Sequence, residues 1–260
     1  MPLVASLRAD LASRRVTLGD GRGTTVHVAV YPRASVGAAV VAMPAPEPLP
    51  AWCRRTGVAH ALVGGFFVTP GGPALGEVWV EGRRVRTAPF DARFAPGRSC
   101  LHIHGDLLRI APLAGMPTDP VGDLLQAGPA LVGNGRVMIR DGDDREGFRA
   151  GSGQFDSDIT DGRHPRAAIG LDETRLIAVA SEGRASEEAG LTLAELAALM
   201  ADLGAREAIN LDGGGSTSLV VDGRLVNRPR EAEGIDIPDG RPLVTALAFV
   251  ARDQRSRAAA

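Results

Sequence analysis

Residues 208–229 read AINLDGGGSTSLVVDGRLVNRP, and this stretch carries the strongest structural signal in the chain. An apolar, strand-like segment leads to Asn210 and Asp212. A glycine triplet and two hydroxyl side chains follow, namely Gly213, Gly214, Gly215, Ser216 and Thr217. Glycines allow backbone amides to turn toward an anion and to approach it closely, and hydroxyl groups suit phosphate or sugar oxygens. The pattern predicts a ligand-binding loop at the end of a strand.

Asp212 is the candidate catalytic group of this loop. A carboxyl group at the end of an apolar strand is expected to be partly desolvated, which raises its pKa and suits a general acid. The alternative interpretation is a tight turn in which Asp212 accepts a hydrogen bond from a backbone amide. The loop is not a Walker A motif, because the chain contains no lysine, and its glycines lack the dinucleotide-binding spacing.

Short β-type runs joined by glycine turns extend on both sides of this stretch. The pairs Glu81-Gly82, Asn134-Gly135 and Asp222-Gly223 each stand between two such runs. Asn-Gly and Asp-Gly are strong short hairpin signals, and all three pairs are interpreted as hairpin turns.

The clearest helix covers TLAELAALMADLGA, residues 192–205. Thr192 and Glu195 form a capping box, and Gly204 ends the helix. Its apolar stripe consists of Leu193, Leu196, Leu199, Met200 and Leu203. Because this helix lies between two strand-like runs, the order is that of a crossover unit. Weaker helices are predicted over residues 3–14 and 120–126.

The sequence therefore predicts an α+β fold of mixed β-sheets with hairpins and a few packed helices, in which β structure predominates. The proline-rich residues 42–50 are interpreted as a connecting loop. Residues 1–57 are expected to supply N-terminal strands to the same domain as residues 58–250, and residues 251–260 are expected to form a flexible tail.

Composition excludes several classes of function. The formal net charge of −2 gives no general attraction to nucleic acid or to an acidic membrane. All 29 basic residues are arginine, so any cationic side chain that binds an anion here is a guanidinium. Neither a signal peptide nor a membrane-spanning segment is predicted, which indicates a cytoplasmic protein, although a secreted chain without its leader would look the same. Cys53 and Cys100 are able to pair but do not form a disulfide framework.

Two further stretches carry candidate ligand-binding groups. In DGRHPRAAIG, residues 161–170, Arg163 and Arg166 flank a proline just before a buried strand, which is typical of a phosphate clamp or of an exposed turn. In VASEGRAS, residues 179–186, Glu182 and Arg184 lie at a strand end upstream of the helix. That is the edge where α/β units bind ligands, and a salt-bridged loop is the alternative.

A third stretch, HALVGGFFVTPGG, places Gly64 and Gly65 before two phenylalanines. The glycines would bring backbone close to a ligand, and the rings would offer an aromatic face to a sugar, whereas core packing is the commoner role of such rings. His102 and His104 share one strand face, but no third ligand is evident, so no metal site is predicted.

Together these motifs resemble the phosphodiester glycosidase family. The resemblance rests on GGFF, on RHPRAAIG and on the long run from SEGRASEEAG to RLVNRP, and it covers about residues 58–250. It implies hydrolysis of a sugar-1-phosphodiester at the glycosidic bond, which releases free sugar and a phosphomonoester, with no cofactor. A GlcNAc-1-phosphodiester or a similar glycan phosphodiester is the expected substrate, and neither nucleic acid nor a membrane is an expected partner.

The resemblance also implies which residues form the pocket. Asp212 and Glu182 are the expected catalytic carboxyl groups, and the expected binding residues are Gly64, Gly65, Arg166, Arg184, Asn210, Gly213, Gly214, Gly215, Ser216, Thr217 and Asn227. The chain departs from the family pattern at three positions. Val63 and Ala167 stand where the family usually has asparagine and threonine, and Glu182 replaces an aspartate. Val63 therefore lacks a polar side chain that would orient the substrate.

Two alternatives to the glycosidase remain at this point. One is a non-catalytic module that binds a sugar phosphate or a surface glycan. The other is a metal-dependent phosphodiesterase that attacks phosphorus, a reaction that usually requires a metal cluster.

Overall fold

A computed structural model describes residues 7–149, 160–232 and 234–252. Its strands are β1 (Asp10–Thr17), β2 (Gly23–Pro32), β3 (Val36–Pro48), β4 (Ala61–Val63), β5 (Val78–Val80), β6 (Arg83–Arg84), β7 (Ser99–His104), β8 (Leu107–Pro112), β9 (Asp123–Gln126), β10 (Ala130–Gly133), β11 (Arg136–Val137), β12 (Ala167–Leu171), β13 (Arg175–Ser181), β14 (Glu207–Asn210), β15 (Leu219–Val221), β16 (Arg224–Leu225) and β17 (Pro242–Ala251). The α-helices over these residues are α1 (Leu49–Thr56) and α2 (Leu193–Asp202). The predicted α+β fold with predominant β structure is confirmed.

The strands form three antiparallel sheets. One has seven strands in the order β1-β2-β13-β12-β14-β10-β11, and two have five, in the orders β16-β15-β4-β17-β3 and β6-β5-β9-β7-β8. Apolar residues from all three sheets form one central core. Strand β12 shows how the sheet separates two cores: Ala167 and Ile169 face the central core, and Ala168 faces α2 on the opposite side.

The crossover order predicted around α2 is confirmed. Strands β13 and β14 are both antiparallel to β12, which lies between them, so they run parallel to each other. Helix α2 connects them and packs its apolar face on the sheet. Thr192 and Glu195 form the predicted capping box, and Gly204 follows the helix with φ +87°. The crossover places the carboxyl end of β14 at the edge where the candidate site forms.

The three predicted hairpin turns are also confirmed. They join β5 to β6, β10 to β11 and β15 to β16. Both residues of each turn have positive φ, as a two-residue turn matched to the strand twist requires: Glu81, Gly82, Asn134, Gly135, Asp222 and Gly223.

Both weaker helix predictions are wrong. In the segment of residues 3–14, the chain forms β1 from Asp10 onward, and β1 pairs with β2 along its whole length. Strand β1 is almost entirely exposed. Residues 1–6 lie outside the described part. Four residues of the second form β9, a buried strand between β5 and β7. Tertiary pairing outweighs local helix preference in both segments.

The proline-rich segment is not a loop. Residues 42–48 continue β3 and pair with β17, with an irregularity between Leu243 and Thr245, and α1 begins at Leu49. Strand β3 is the last in its sheet, and an edge strand tolerates proline because its outer amides need no ladder partner. At the other end of the chain, β17 includes Ala251, whereas residues 253–260 of the expected tail lie outside the described residues.

Candidate functional site

A cleft of about 110 Å³ lies where the chain leaves β14. The amide of Leu211 donates to Ala167 O and the amide of Asp212 donates to Gly64 O, so the strand direction continues into the loop. The lining residues come from five segments: Phe66, Phe67, Val68, Thr69 and Pro70; His164 and Arg166; Arg184; Asn210, Leu211, Asp212, Gly213, Gly214, Gly215 and Ser216; and Arg241. A larger cleft of about 400 Å³ contains none of the predicted site residues.

Asp212 has the environment expected of a catalytic carboxyl group. Desolvation by burial raises its pKa from 3.8 to about 6, against smaller opposing effects of the Ser216 side chain, the Gly213 amide and Arg241. Oδ1 accepts a hydrogen bond of 2.9 Å from Gly213 N. Oδ2 is enclosed and has no hydrogen-bond partner within the described residues. The group is therefore able to hold or release a proton near neutral pH.

Asn210 supplies a second open acceptor. Its Nδ2 donates to Gly128 O at 2.9 Å, which fixes the orientation of the amide. The Oδ1 atom is buried and, over the described part of the chain, has no hydrogen-bond partner. Buried polar atoms are almost always paired, so two such acceptors lining one cleft indicate a ligand that brings donors, as a sugar hydroxyl does.

The glycine triplet acts differently from the sequence-based expectation. The amides of Gly213 and Gly214 donate to Asp212 Oδ1 and Pro165 O, so these two amides are used within the protein. The capped turn considered as an alternative is what forms. The triplet instead leaves room for neighbours. A Cβ on Gly213 would lie 2.9 Å from Pro165 O; on Gly214, 3.0 Å from Arg184 Nη2; and on Gly215, 2.7 Å from Arg241 Nε.

Three guanidinium groups consequently line a cleft that also contains Asp212. Arg166 is buried, and its Nε donates to Leu191 O at 3.1 Å. Arg184 has φ +59°, and its Nη1 donates to Arg230 O at 2.9 Å. Arg241 lies just before β17 and contacts Glu231. This concentration of positive charge suits an anionic ligand.

Arg241 and His164 line the cleft but are not among the residues expected from the sequence, whereas Phe67 belongs to the pair of rings considered there as a face for a sugar. His164 lay inside a motif already used for the family resemblance, so its position beside Arg166 was available from the sequence. Arg241 had no such signal, because it reaches the cleft only through the pairing of β17. Phe67 lines the cleft, whereas Phe66 also packs with Phe90 and Phe148.

Glu182, the second expected catalytic carboxyl group, does not line the cleft. Its Oε1 accepts from Arg228 N at 2.9 Å and lies 3.1 Å from His27 Nε2, and its Oε2 lies 3.0 Å from Arg230 Nη1. These contacts tie β2 and the end of β13 to residues 228–230. The geometry is that of a structural anchor next to the site.

The remaining predicted residues, Gly64, Gly65, Thr217 and Asn227, do not line the cleft. Asn227 bridges Thr217 O and Leu219 N, and the Thr217 hydroxyl is buried outside the cleft lining. Gly64 and Gly65 allow close backbone packing: a Cβ would lie 2.5 Å from Thr245 Oγ1 and 3.0 Å from Gln126 O, respectively.

Other candidate groups lie apart from this cleft. Cys53 and Cys100 are both buried and unpaired. Within residues 7–149, 160–232 and 234–252, no cluster of three His, Cys, Asp or Glu side chains has a metal-binding arrangement. The helices of that same part are too short or too polar to cross a membrane.

Comparison with known proteins decides the family. Residues 56–250 match the model of the family described as phosphodiester glycosidase. This chain belongs to the phosphodiester glycosidase family. The resemblance inferred from the sequence motifs is thereby confirmed.

Two curated relatives in the family are named N-acetylglucosamine-1-phosphodiester alpha-N-acetylglucosaminidase. The Mus musculus protein is 32% identical over 186 residues, which cover 70% of this chain and 34% of that protein. The Homo sapiens protein is 30% identical over 171 residues, covering 65% and 33%. The chain thus spans about a third of the length of the curated relatives it matches.

Solved structures show the same fold. The catalytic domain of the zebrafish protein of that name, auto-inhibited by its pro-peptide, superposes with a TM-score of 0.70 at 23% identity, covering 96% of this chain and 85% of that one. A hypothetical protein from Synechocystis superposes with a TM-score of 0.62 at 18% identity, covering 93% and 62%. The family fold therefore extends over nearly the whole chain.

Proposed function

We propose that this phosphodiester glycosidase family member hydrolyses the glycosidic bond of a sugar-1-phosphodiester, such as a GlcNAc-1-phosphodiester. The observation that carries the proposal is the convergence at one cleft of Asp212, whose enclosed Oδ2 has no hydrogen-bond partner among the described residues, with Arg166, Arg184 and Arg241. A diester that joins a sugar to a phosphate presents both parts that such a cleft complements, namely an electrophilic carbon and an anion.

The proposed reaction breaks the bond between the anomeric carbon and the phosphate oxygen. The electron pair stays on that oxygen and gives a phosphomonoester, whose charge the arginines offset. Above its pKa of about 6, the ionised Asp212 stabilises positive charge on the sugar ring and accepts the proton of the attacking water. The water oxygen bonds to the anomeric carbon, and free sugar is released.

Because the leaving group is a phosphomonoester, the proposed reaction requires one catalytic carboxyl group, that of Asp212, and no second carboxyl group as general acid. A phosphomonoester bound by arginine is a better leaving group than the alcohol of an ordinary glycoside, so less general acid assistance is required. Glu182 is assigned a positioning role, because Arg230 links it to Arg184 through a backbone carbonyl. Asn210 Oδ1, which has no partner in the described part of the chain, is assigned to a sugar hydroxyl or amide donor.

Product analysis tests the proposal. The purified protein is incubated with a panel of sugar-1-phosphodiesters, including a GlcNAc-1-phosphodiester, with and without a chelator. Release of free sugar and a phosphomonoester in both conditions supports the glycosidase. Sugar 1-phosphate and alcohol, lost with chelator, would instead indicate metal-dependent attack at phosphorus. Binding without turnover would indicate a sugar-phosphate-binding module.

A further inference from the structure

An ion pair at the rim of the cleft holds Arg241 against the glycine triplet. Arg241 Nε donates to Glu231 Oε1 at 2.7 Å, and Nη2 contacts the other carboxylate oxygen. The pair is two-pronged, which fixes the plane of the guanidinium as well as its position. The Arg241 amide also donates to Gly215 O, and only a residue without Cβ leaves space for the guanidinium beside position 215.

The charge of Arg241 reaches the reacting end of the cleft. Burial raises the pKa of Asp212, and Arg241 acts in the opposite direction. The pKa of Glu231 is lowered, chiefly by its hydrogen bond with Arg241 and also by the charge of Arg184. The charged and titratable side chains lining the cleft with Asp212 are His164, Arg166, Arg184 and Arg241. Glu231 therefore pairs directly with Arg241 and interacts electrostatically with Arg184.

We propose that Arg241 binds the phosphate group of the substrate, and that Glu231 is the positioning residue that holds its guanidinium at the cleft. This inference rests on the proposed function, which already counts Arg241 among the arginines that offset the phosphate charge, and adds Glu231 as the residue that holds Arg241 in place. Exposed ion pairs contribute little to stability. This pair is only partly exposed, with about a third of each side chain accessible, and it faces a cleft, so its main effect is on ligand binding.

Binding of inorganic phosphate, measured by titration calorimetry on the full chain, tests the inference without requiring turnover. Arg241→Gln is expected to weaken binding by about tenfold or more, the usual scale of a charge-assisted hydrogen bond. Arg224→Gln is the matched control, because it removes the same charge from an exposed hairpin residue outside the cleft, and it is expected to bind as the parent does. Unchanged binding in Arg241→Gln, or no phosphate binding by the parent at millimolar concentrations, would overturn the inference.

A double-mutant cycle tests the positioning role. If Glu231 acts through Arg241, Glu231→Ala weakens phosphate binding in the parent and has little further effect in the Arg241→Gln background. Glu231→Gln, which keeps one acceptor for the guanidinium, should recover part of the loss. Equal effects of Glu231→Ala in both backgrounds would exclude action through Arg241.

Kinetics add a second readout where the parent turns over a diester. Arg241→Gln should raise KM, and it should move the pH limb assigned to Asp212 to higher pH, because a positive charge that favoured the carboxylate is gone. A protein that binds phosphate through Arg241 but releases no sugar would contradict the glycosidase and leave this inference intact. If the protein is a glycosidase but Arg241→Gln changes neither KM nor the pH profile, the proposed function stands and this inference is overturned.

Discussion

Glu182 Oε2 and Arg230 Nη1 lie 3.0 Å apart, and less than a tenth of either side chain is exposed. Arg230 also forms an ion pair with Asp236, and the backbone carbonyl of Arg230 accepts a hydrogen bond from Arg184. A carboxylate that the sequence suggested as catalytic is therefore part of the frame that positions an arginine of the cleft.

Glu182→Ala is expected to destabilise the fold by about 3 kcal/mol, because it removes the buried partner of Arg230 and leaves that guanidinium with the exposed Asp236 as its charge partner among the described residues. Chemical denaturation of the variant against Glu173→Ala checks this, since Glu173 makes an exposed pair with Arg206 and should cost little. A Glu182→Ala protein with parental stability and no activity would instead support direct catalysis by Glu182.

Asp212→Asn is expected to lower kcat by roughly 10²-fold to 10⁴-fold, the range for loss of a positioned acid or base. The fold should remain intact, because Oδ1 of asparagine can still accept from Gly213 N. A fully active Asp212→Asn variant would remove Asp212 from the mechanism. Steady-state kinetics with a circular dichroism check of folding separates these outcomes.

The same substitution has a pH-dependent effect on stability. The pKa of Asp212 is higher in the folded chain, about 6, than its ordinary value of 3.8, so the folded state binds more protons between these values. Stability contributed by the protonated group is complete below pH 3.8 and is lost as pH rises through 6. Asp212→Asn should therefore stabilise the protein by up to about 3 kcal/mol at pH 7.5 and much less at pH 4, since a tenfold change in protonation corresponds to about 1.4 kcal/mol. Equal effects at both pH values would contradict the raised pKa.

Gly214→Ala is expected to raise KM by about tenfold or more, because the new Cβ would displace the Arg184 guanidinium. Positive φ adds about 1–2 kcal/mol of backbone strain. Gly223→Ala is the matched control: Gly223 also has positive φ, but a Cβ there meets no atom of the described residues within 4 Å. Both variants should lose similar stability, whereas only Gly214→Ala should lose substrate affinity. A parental KM in Gly214→Ala would show that Arg184 does not bind substrate.

Val63→Asn is expected to destabilise the protein by about 1–3 kcal/mol without improving kcat/KM. Val63 is fully buried in the central core and does not line the cleft, so an asparagine there would bury an amide. Val63→Thr, nearly the same shape, shows the cost of polarity alone. A gain in activity for Val63→Asn would mean that this position reaches the substrate after all.

Much of the local structure was predictable because its signals are short in range. The Thr192 and Glu195 capping box, the Asn134-Gly135 turn and the loop after Asn210 each depend on neighbours within a few residues. Predictions failed where distant pairing decides. Residues 42–48 carry three prolines, yet the free outer edge of β3 accommodates them. Residues 123–126 form a buried strand because β5 and β7 pair with them on either side.

By itself, the sequence determined the family, the predominance of β structure, and the placement of Asp212 at a strand end beside a glycine turn. Only the tertiary structure decided which charged groups meet there. In the folded chain, Glu182 pairs with Arg230, and the amides of Gly213 and Gly214 donate to acceptors within the protein. Arg241, just before β17, lines the cleft. The physical reason is that backbone preference acts over one turn or one strand, whereas the neighbours of a side chain depend on strand pairing and packing between residues far apart in the chain.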